Sequence, residues 1–160
     1  MFIKIFTTGG TIDKIYFDAK NDYHVGEPEI NRVLDEAIVN FDYGVESILK
    51  KDSLDMNEND REVIKEHVLK EKSKHIVITH GTDSMVETAK VLKSIKDKTI
   101  VLTGSMQPAR IRESDAVYNI GAATTAVQLL KPGVYIAMNG QIFRPASVKK
   151  NVQKNRFEEI

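Results

Sequence analysis

The chain has 160 residues with 23 basic and 23 acidic side chains, a formal net charge of +0 and no cysteine. The charge balance excludes the basic surface field typical of nucleic-acid binding, and the lack of cysteine excludes disulfides and thiolate metal sites. The hydrophobic fraction of 41% and the charged fraction of 29% are typical of a globular domain. We expect one cytoplasmic domain that has no signal peptide, enters no membrane, binds no nucleic acid and needs neither a metal nor another cofactor.

The first apolar run, Phe2–Phe6, predicts a buried strand, because β-branched and aromatic residues dominate a short segment that leads to glycine. Gly9 and Gly10 would let the backbone turn sharply and approach a ligand closely. The hydroxyl of Thr11 would then lie at the carboxyl edge of the sheet, where open α/β sheets bind ligands. A lone glycine pair more often marks an ordinary turn, and no phosphate-binding glycine motif follows this one.

Strand-like and helix-like patterns alternate along the rest of the chain. Residues 13–27 have no clean periodicity and predict a long loop of the kind that closes over a site. Further strands are predicted at 45–49, 75–79, 99–103, 133–138 and 142–143, with a basic tail after the last; the helices between them end near 40, 72, 95 and 130. The alternation predicts an α/β fold: a doubly wound, mainly parallel sheet flanked by helices in three layers, forming a single domain over residues 1–160.

Polar residues follow four predicted strands at the point where each strand ends. They are Thr11, Ser53, the pair Thr82 and Asp83, and Ser105. Because the carboxyl ends of parallel strands meet at one edge of the sheet, we expect these side chains to converge there. Each also has a simpler explanation, since threonine and aspartate cap helices and serine is common in turns.

Two histidines and a lysine pair have structural explanations of their own. His67 falls at helical spacing, which predicts a position on a helix surface rather than a ligand role. His80 is expected to be neutral and oriented by backbone partners, although a general-base role is the alternative. Lys149 and Lys150 would ordinarily form a solvated surface run.

Four segments resemble the signatures of the bacterial-type L-asparaginases. In chain order they are Thr8-Gly9-Gly10-Thr11-Ile12, Asp52-Ser53-Leu54-Asp55-Met56-Asn57, His80-Gly81-Thr82-Asp83-Ser84-Met85 (the family usually has Thr in place of Ser84) and Thr103-Gly104-Ser105-Met106-Gln107-Pro108. Four signatures in this order are far more specific than any one alone. The resemblance covers essentially the whole chain, but it covers only the N-terminal domain of the family. The chain is therefore similar to a short, single-domain subgroup that lacks the C-terminal domain.

The resemblance implies hydrolysis of L-asparagine to L-aspartate and ammonia, with Thr11 as the nucleophile that forms an acyl-enzyme. The general base would be either Lys150, deprotonated by burial and tuned by Asp83, or the phenol of Tyr16. Lys149 is the alternative to Lys150, because alignment of this segment with the family pattern needs a one-residue gap. Thr82, Asp83 and Lys150 would form a second catalytic cluster. The residues expected to bind substrate are Gly10, Ser53, Leu54, Gly81, Asp83 and Ser105, with Asp83 at the α-ammonium and Ser53 at the α-carboxylate.

Two departures from the family pattern predict weaker substrate binding. Leu54 stands where longer members commonly have glutamine, which removes one donor to the substrate carboxylate. Two-domain members also complete the site with an acidic residue from the C-terminal domain of a neighbouring subunit. Loss of one charged hydrogen bond costs about 1.5–3 kcal/mol, or about 10- to 150-fold in affinity. We therefore expect asparaginase activity with low glutaminase activity, in a homodimer or homotetramer.

Three other functions are open to a chain of this kind. A sensor that binds aspartate or asparagine without turnover would have no need of a nucleophile. An ammonia-generating subunit of a tRNA-dependent amidotransferase would be expected to have further domains and a partner. A nucleotide-binding α/β domain is disfavoured, because no phosphate-binding motif is present.

Overall fold

A computed structural model describes residues 1–160. The strands are β1 (Phe2–Gly9), β2 (Lys14–Phe17), β3 (Asp22–Val25), β4 (Asp42–Lys51), β5 (His75–Thr79), β6 (Thr99–Thr103), β7 (Gly133–Met138), β8 (Gln141–Phe143), β9 (Val148–Asn151) and β10 (Arg156–Glu159). The α-helices are α1 (Ile30–Glu36), α2 (Glu58–Lys70), α3 (Met85–Leu92) and α4 (Ala116–Leu129). Two short 3-10 turns, Thr11–Asp13 and Ser53–Asp55, follow β1 and β4 directly.

The central sheet has six strands in the order β4-β1-β5-β6-β7-β8. All neighbouring pairs are parallel except β7 with β8, which is antiparallel. From β1 the chain first adds β4 on one side and then returns to add β5 on the other. The strand order therefore reverses between β1 and β5, and in open α/β sheets the crevice at such a reversal is where ligands bind.

Each face of the sheet is covered by two helices, which gives three layers and confirms the doubly wound prediction. Along β5, Ile76 and Ile78 pack on one face with residues of α2 and α3, whereas Val77 packs on the other face with residues of α1 and α4. This alternation follows from the two-residue period of a strand. Because both faces are buried, the sequence of β5 is apolar at each position between His75 and Thr79.

The segment 13–27 is a β-hairpin, so the prediction of a structureless loop there was wrong. The strands β2 and β3 pair in antiparallel register, with Tyr16 opposite Tyr23, and their rings meet edge to face at 5.4 Å. Asn21 makes the turn in the left-handed region at φ 48°. Both faces of the hairpin carry exposed aromatic residues, so the sequence has no contrast between a buried and an exposed face by which alternation could be recognised.

Two further boundaries differ from the sequence prediction. α1 ends at Glu36 because Ile38, two residues on, has a positive φ of 53°, which an α-helix cannot contain. The basic tail forms a second hairpin of β9 and β10, held to the domain by the buried ring of Phe157 and by its N–H, which donates to Asn139 Oδ1 at 2.7 Å. No helix is both long and apolar enough to span a membrane.

Candidate active site

The turn after β1 brings the backbone of Gly10 against the turn after β5. Gly9 and Gly10 have φ values of 97° and 85°, which favour glycine, and the N–H of Gly10 donates to the Lys51 carbonyl at 2.9 Å. A Cβ atom on Gly10 would lie 2.4 Å from the nitrogen of Gly81, closer than any side chain can approach. Glycine at position 10 is therefore required both by the backbone conformation and by the contact with the second turn.

Thr11 begins the 3-10 turn that follows Gly10 and is partly exposed. Its hydroxyl takes part in no hydrogen bond within the chain, so the side chain is available to a ligand. Ile12 beneath it is buried, and its carbonyl accepts the N–H of Ala109 at 3.0 Å. The backbone that carries Thr11 is thus fixed while the hydroxyl is free.

Tyr16 lies on the hairpin with half of its surface exposed, and its hydroxyl donates to Asn21 Oδ1 within the hairpin rather than to Thr11. Tyr23 lies across from it and presents a second half-exposed phenol on the same face. The sequence analysis did not consider Tyr23, because strand pairing is what aligns it with Tyr16. The base of the hairpin is tied to the sheet by an ion pair of 2.6 Å between Lys14 and Asp52.

The second turn carries a hydrogen-bonded cluster of Thr82, Asp83 and Lys150. Lys150 Nζ donates to Thr82 Oγ1 at 2.8 Å and to Asp83 Oδ1 at 2.7 Å. Thr82 is 5% exposed, and neither it nor Asp83 caps α3, since the residue before the helix is Ser84. Lys149 also lines the adjoining cavity, but its Nζ pairs with Glu158 at 4.0 Å. Of the two lysines considered, Lys150 is the one in contact with the Thr-Asp pair.

Ser53 joins the end of β4 to the second turn. Its hydroxyl oxygen accepts the N–H groups of Asp83 at 3.1 Å and Ser84 at 3.4 Å, and Ser84 Oγ donates to the Ser53 carbonyl at 2.7 Å. A Cβ on Gly81 would be 2.6 Å from the Ser53 Cβ. Ser53 therefore shapes the Thr82–Asp83 backbone directly. Leu54, the next residue, is 75% exposed and makes no comparable contact.

His80 is buried and holds the start of the second turn. Its Nδ1 lies 2.7 Å from the Gly81 carbonyl and its Nε2 lies 2.8 Å from the Thr88 hydroxyl. A proton on Nδ1 with an acceptor lone pair on Nε2 satisfies both contacts. Burial lowers the pKa of His80 to about 4, so the ring is neutral at physiological pH. This confirms the prediction of a neutral, backbone-oriented histidine.

Ser105, after β6, is buried and donates its hydroxyl hydrogen to the Gln107 carbonyl, which makes it a turn-forming residue in this structure. The same loop is ordered by Asp115, whose carboxylate accepts the N–H groups of Met106 at 2.9 Å and Gln107 at 3.0 Å. The part of Asp115 in the loop could not be read from the sequence, because its partners lie eight and nine residues away.

A cavity of about 350 Å³ opens beside the second turn, between α3 and the C-terminal hairpin. Thr82, Asp83 and Lys150 line it together with the charged side chains of Glu87 and Lys90. Thr11 is not among its lining residues. The structure therefore joins the two turns through the Gly10–Gly81 contact, whereas the cavity belongs to the second turn alone.

The α/β sheet thus gathers hydroxyl groups, a carboxylate and a lysine at its carboxyl edge. The model of the N-terminal asparaginase domain matches residues 2–158, and the chain belongs to this family. The resemblance of the four signature segments to asparaginases is thereby confirmed.

Three proteins similar to this chain are longer than it is. The chain is 31% identical to L-asparaginase 2 of Escherichia coli over 159 residues, which cover 92% of this chain and 46% of that protein. It is 35% identical to the glutaminase-asparaginase of Acinetobacter glutaminasificans over 112 residues, which cover 67% of this chain and 33% of that one. The thermostable L-asparaginase from Thermococcus kodakarensis superposes with a TM-score of 0.86 at 28% identity, over 100% of this chain and 51% of that chain. The chain thus spans about half the length of these relatives or less.

Proposed function

We propose that this protein hydrolyses L-asparagine to L-aspartate and ammonia. The observation that carries the proposal is the Thr82–Asp83–Lys150 cluster, which is held against the Thr11 turn by the contact of Gly10 with Gly81. Amide hydrolysis needs a nucleophile, a group that moves protons and a grip on the charged ends of the substrate. The two turns together offer these groups at one edge of the sheet. The family relatives that bear the name asparaginase support the same substrate.

In the proposed reaction the Thr11 hydroxyl attacks the side-chain amide carbon and a base takes its proton. The base returns this proton to the amide nitrogen, the C–N bond breaks, and ammonia leaves while an ester remains on Thr11. Water then hydrolyses the ester to release aspartate. Lys150 is one candidate for proton transfer, because it already donates to Thr82 and can pass a proton along that contact. A phenol of the hairpin, Tyr16 or its cross-strand partner Tyr23, is the other.

Substrate binding is assigned to the residues around this edge. Asp83 carries the negative charge for the α-ammonium, and its other partner is Lys150 Nζ at 2.7 Å. Ser53 is proposed at the α-carboxylate, because its hydroxyl hydrogen remains free while its oxygen accepts two N–H groups. Gly10 and Gly81 provide close backbone approach. Leu54 and Ser105 contribute less in this arrangement, since one is exposed and the other is bonded to Gln107.

Ammonia release from L-asparagine, measured for the wild type and for Thr11→Ala, tests the proposal. We expect the variant to lose at least about 10³-fold in kcat. Ser47→Ala, which removes an exposed hydroxyl on β4, is the control and should keep full activity. A protein whose melting temperature rises with asparagine but that releases no ammonia would be a sensor instead. Activity only with glutamine and an added tRNA-dependent partner would indicate an amidotransferase subunit.

We also propose that the protein is a cytoplasmic homodimer or homotetramer that associates through α4. The helix has no charged residue in its 14 positions, and Val117, Tyr118 and Leu129 on its outer side are 54%, 67% and 80% exposed. Together with Ile142 of β8 they line a groove of about 680 Å³. A surface without charge meets its own copy across a twofold axis with no like-charge repulsion. The absence of cysteine supports the cytoplasmic compartment.

Light scattering over a wide concentration range tests the association. Leu129→Asp should shift the wild-type oligomer toward the monomer, because it places a carboxylate opposite its own copy. Leu69→Asp on α2 changes an equally apolar side chain, 55% exposed, on a different face and should leave the oligomer intact. A wild-type mass of 18.0 kDa at every concentration would contradict the proposal.

A further inference from the structure

Asp13 is a buried carboxylate that the proposed reaction does not use. It lies two residues after Thr11, at the end of the 3-10 turn, and is 2% exposed. Its side chain has one hydrogen bond: Oδ1 accepts the N–H of Glu29 at 3.0 Å. Glu29 is the residue directly before α1, so the Asp13 side chain joins the Thr11 turn to the start of that helix.

The backbone of Asp13 holds the other boundaries of the same region. Its N–H donates to the Gly10 carbonyl at 3.1 Å, and its carbonyl accepts the N–H of Gly26 at 2.8 Å. Gly26 follows the last residue of β3, so one residue closes the hairpin at its base and fixes the turn before it. The entry to the hairpin, its exit and the start of α1 therefore all meet at Asp13.

No free cation faces the Asp13 carboxyl. Glu29 from the segment before α1 is bonded to Arg32 at 2.8 Å and to Arg110 at 2.6 Å, and the nearby Lys50 of β4 is paired with Glu27. Lys14, the next residue, is paired with Asp52. The carboxylates of Glu29 and Glu27 repel a charge on Asp13, and Lys50 only partly offsets them.

The surroundings favour the neutral acid over the carboxylate. Burial is the main cause that raises the pKa of Asp13 to about 7, and the neighbouring Glu29 and Glu27 carboxylates add to it. The N–H donated by Glu29 acts in the opposite direction, because it stabilises the ionised form. Above neutral pH the closed arrangement therefore holds a buried charge, and the cost of burying it exceeds the stabilisation from this N–H.

We propose that Asp13 is a positioning residue: its neutral side chain fastens the hairpin to the start of α1 and so fixes the turn that presents Thr11, and ionisation of Asp13 loosens this attachment. The inference deepens the proposed function, because the hairpin carries the two phenols and Thr11 precedes it. Only its consequence for turnover rests on that function. The attachment itself is a property of the fold.

Amide hydrogen exchange measures the attachment directly. The pKa of Asp13 is about 7 while the attachment is formed and would be 3.8 when the side chain is open to water. Protection of the Gly26 and Glu29 amides from exchange should therefore fall about tenfold between about pH 6 and pH 8, after correction for intrinsic exchange. In Asp13→Asn, which keeps an oxygen for the Glu29 N–H but cannot ionise, protection should not change with pH. Asp18→Asn, at an exposed position on the same hairpin, should behave as the wild type.

Constant protection in the wild type, or the same tenfold fall in Asp13→Asn, would overturn the proposal. Should Asp13→Asn not fold, a carbon-13 titration of the wild-type Asp13 carboxyl decides: a midpoint near 7 supports the attachment, and one near 4 refutes it. Ammonia release on the same samples keeps the two proposals apart. An inactive protein whose protection still falls with pH retains the Asp13 role and loses the asparaginase function.

Discussion

The turns after β1 and β5 both place a threonine at the carboxyl edge of the sheet, but they hold it in opposite ways. Thr11 is partly exposed and its hydroxyl has no partner, whereas Thr82 is buried and accepts a hydrogen bond of 2.8 Å from Lys150. A hydroxyl without a partner can reach a substrate without first breaking a bond. A hydroxyl bonded to a lysine–carboxylate pair is suited to moving protons. In the proposed reaction this contrast would make Thr11 the nucleophile and Thr82 a group that moves protons.

The largest effect is expected when the second turn loses its lysine. Lys150→Met keeps most of the side-chain length but removes the donor to Thr82 and Asp83, so kcat for asparagine should fall about 10²- to 10⁴-fold, the range typical of a lost acid–base group. Lys149→Met alters the adjacent, more exposed lysine and should leave kcat near the wild-type value. Equal losses in both variants would show that the Thr82 cluster has no special role and would end the comparison.

A larger side chain at the contact between the two turns should destabilise the protein. Gly10→Ala places a Cβ 2.4 Å from the Gly81 nitrogen at a φ of 85°, so the free energy of unfolding should fall by about 2–5 kcal/mol from strain and overpacking. Denaturant unfolding gives this value. Gly121→Ala on α4, where no atom lies within 4 Å, is the matched control and should gain up to about 1 kcal/mol, as alanine favours a helix. A neutral Gly10→Ala would mean that the turns are not in contact.

The pH dependence of stability should separate the turns, because each has one buried titratable group. The folded-state pKa of Asp13 is raised from 3.8 to about 7, so its contribution falls as pH rises through that window. The folded-state pKa of His80 is lowered from 6.5 to about 4, so its contribution falls as pH drops through that window. Where the two pH ranges overlap, Asp13 lowers and His80 raises the free energy of unfolding with increasing pH, each by about 1.4 kcal/mol per pH unit.

Substituting one of the two groups should reveal how the other changes the free energy of unfolding with pH. Between about pH 4 and 6.5, the free energy of unfolding of Asp13→Asn should rise with pH by roughly 3 kcal/mol, because only His80 remains. His80→Gln should show the reverse slope over the same range, whatever its overall stability. Chemical denaturation at a series of pH values measures both. If the variants have the same slope as the wild type, folding shifts the pKa of neither group.

Long apolar runs made the fold predictable from sequence. The bounds of β5, β6 and β7 were predicted to the residue, because a strand buried on both faces has a continuous apolar run between its ends. The hairpin at 14–25 was missed for the opposite reason: both of its faces carry exposed aromatic side chains. The burial of Asp13 was also beyond the sequence, since it depends on Glu29 and Gly26, which approach only when the hairpin closes.

The site was predictable as far as strand ends determine it. Thr82, Asp83 and Ser53 follow adjacent or nearly adjacent strands, and the structure brings them together. The choice between Lys149 and Lys150 was not predictable, because successive residues of a strand point to opposite faces. A gap of one residue in the alignment therefore changes which lysine faces Thr82 and Asp83. The role of Tyr16 as a base stays a prediction, and its bond to Asn21 makes Tyr23 an equal candidate.

The uncharged outer side of α4 has a consequence for handling the protein in solution. Sodium chloride weakens contacts between ions by screening them, and a helix surface that carries no ion gives it nothing to screen. Sulfate acts differently: it is excluded from protein surfaces and so favours the burial of apolar groups. Self-association through α4 should therefore persist in concentrated sodium chloride and strengthen in ammonium sulfate.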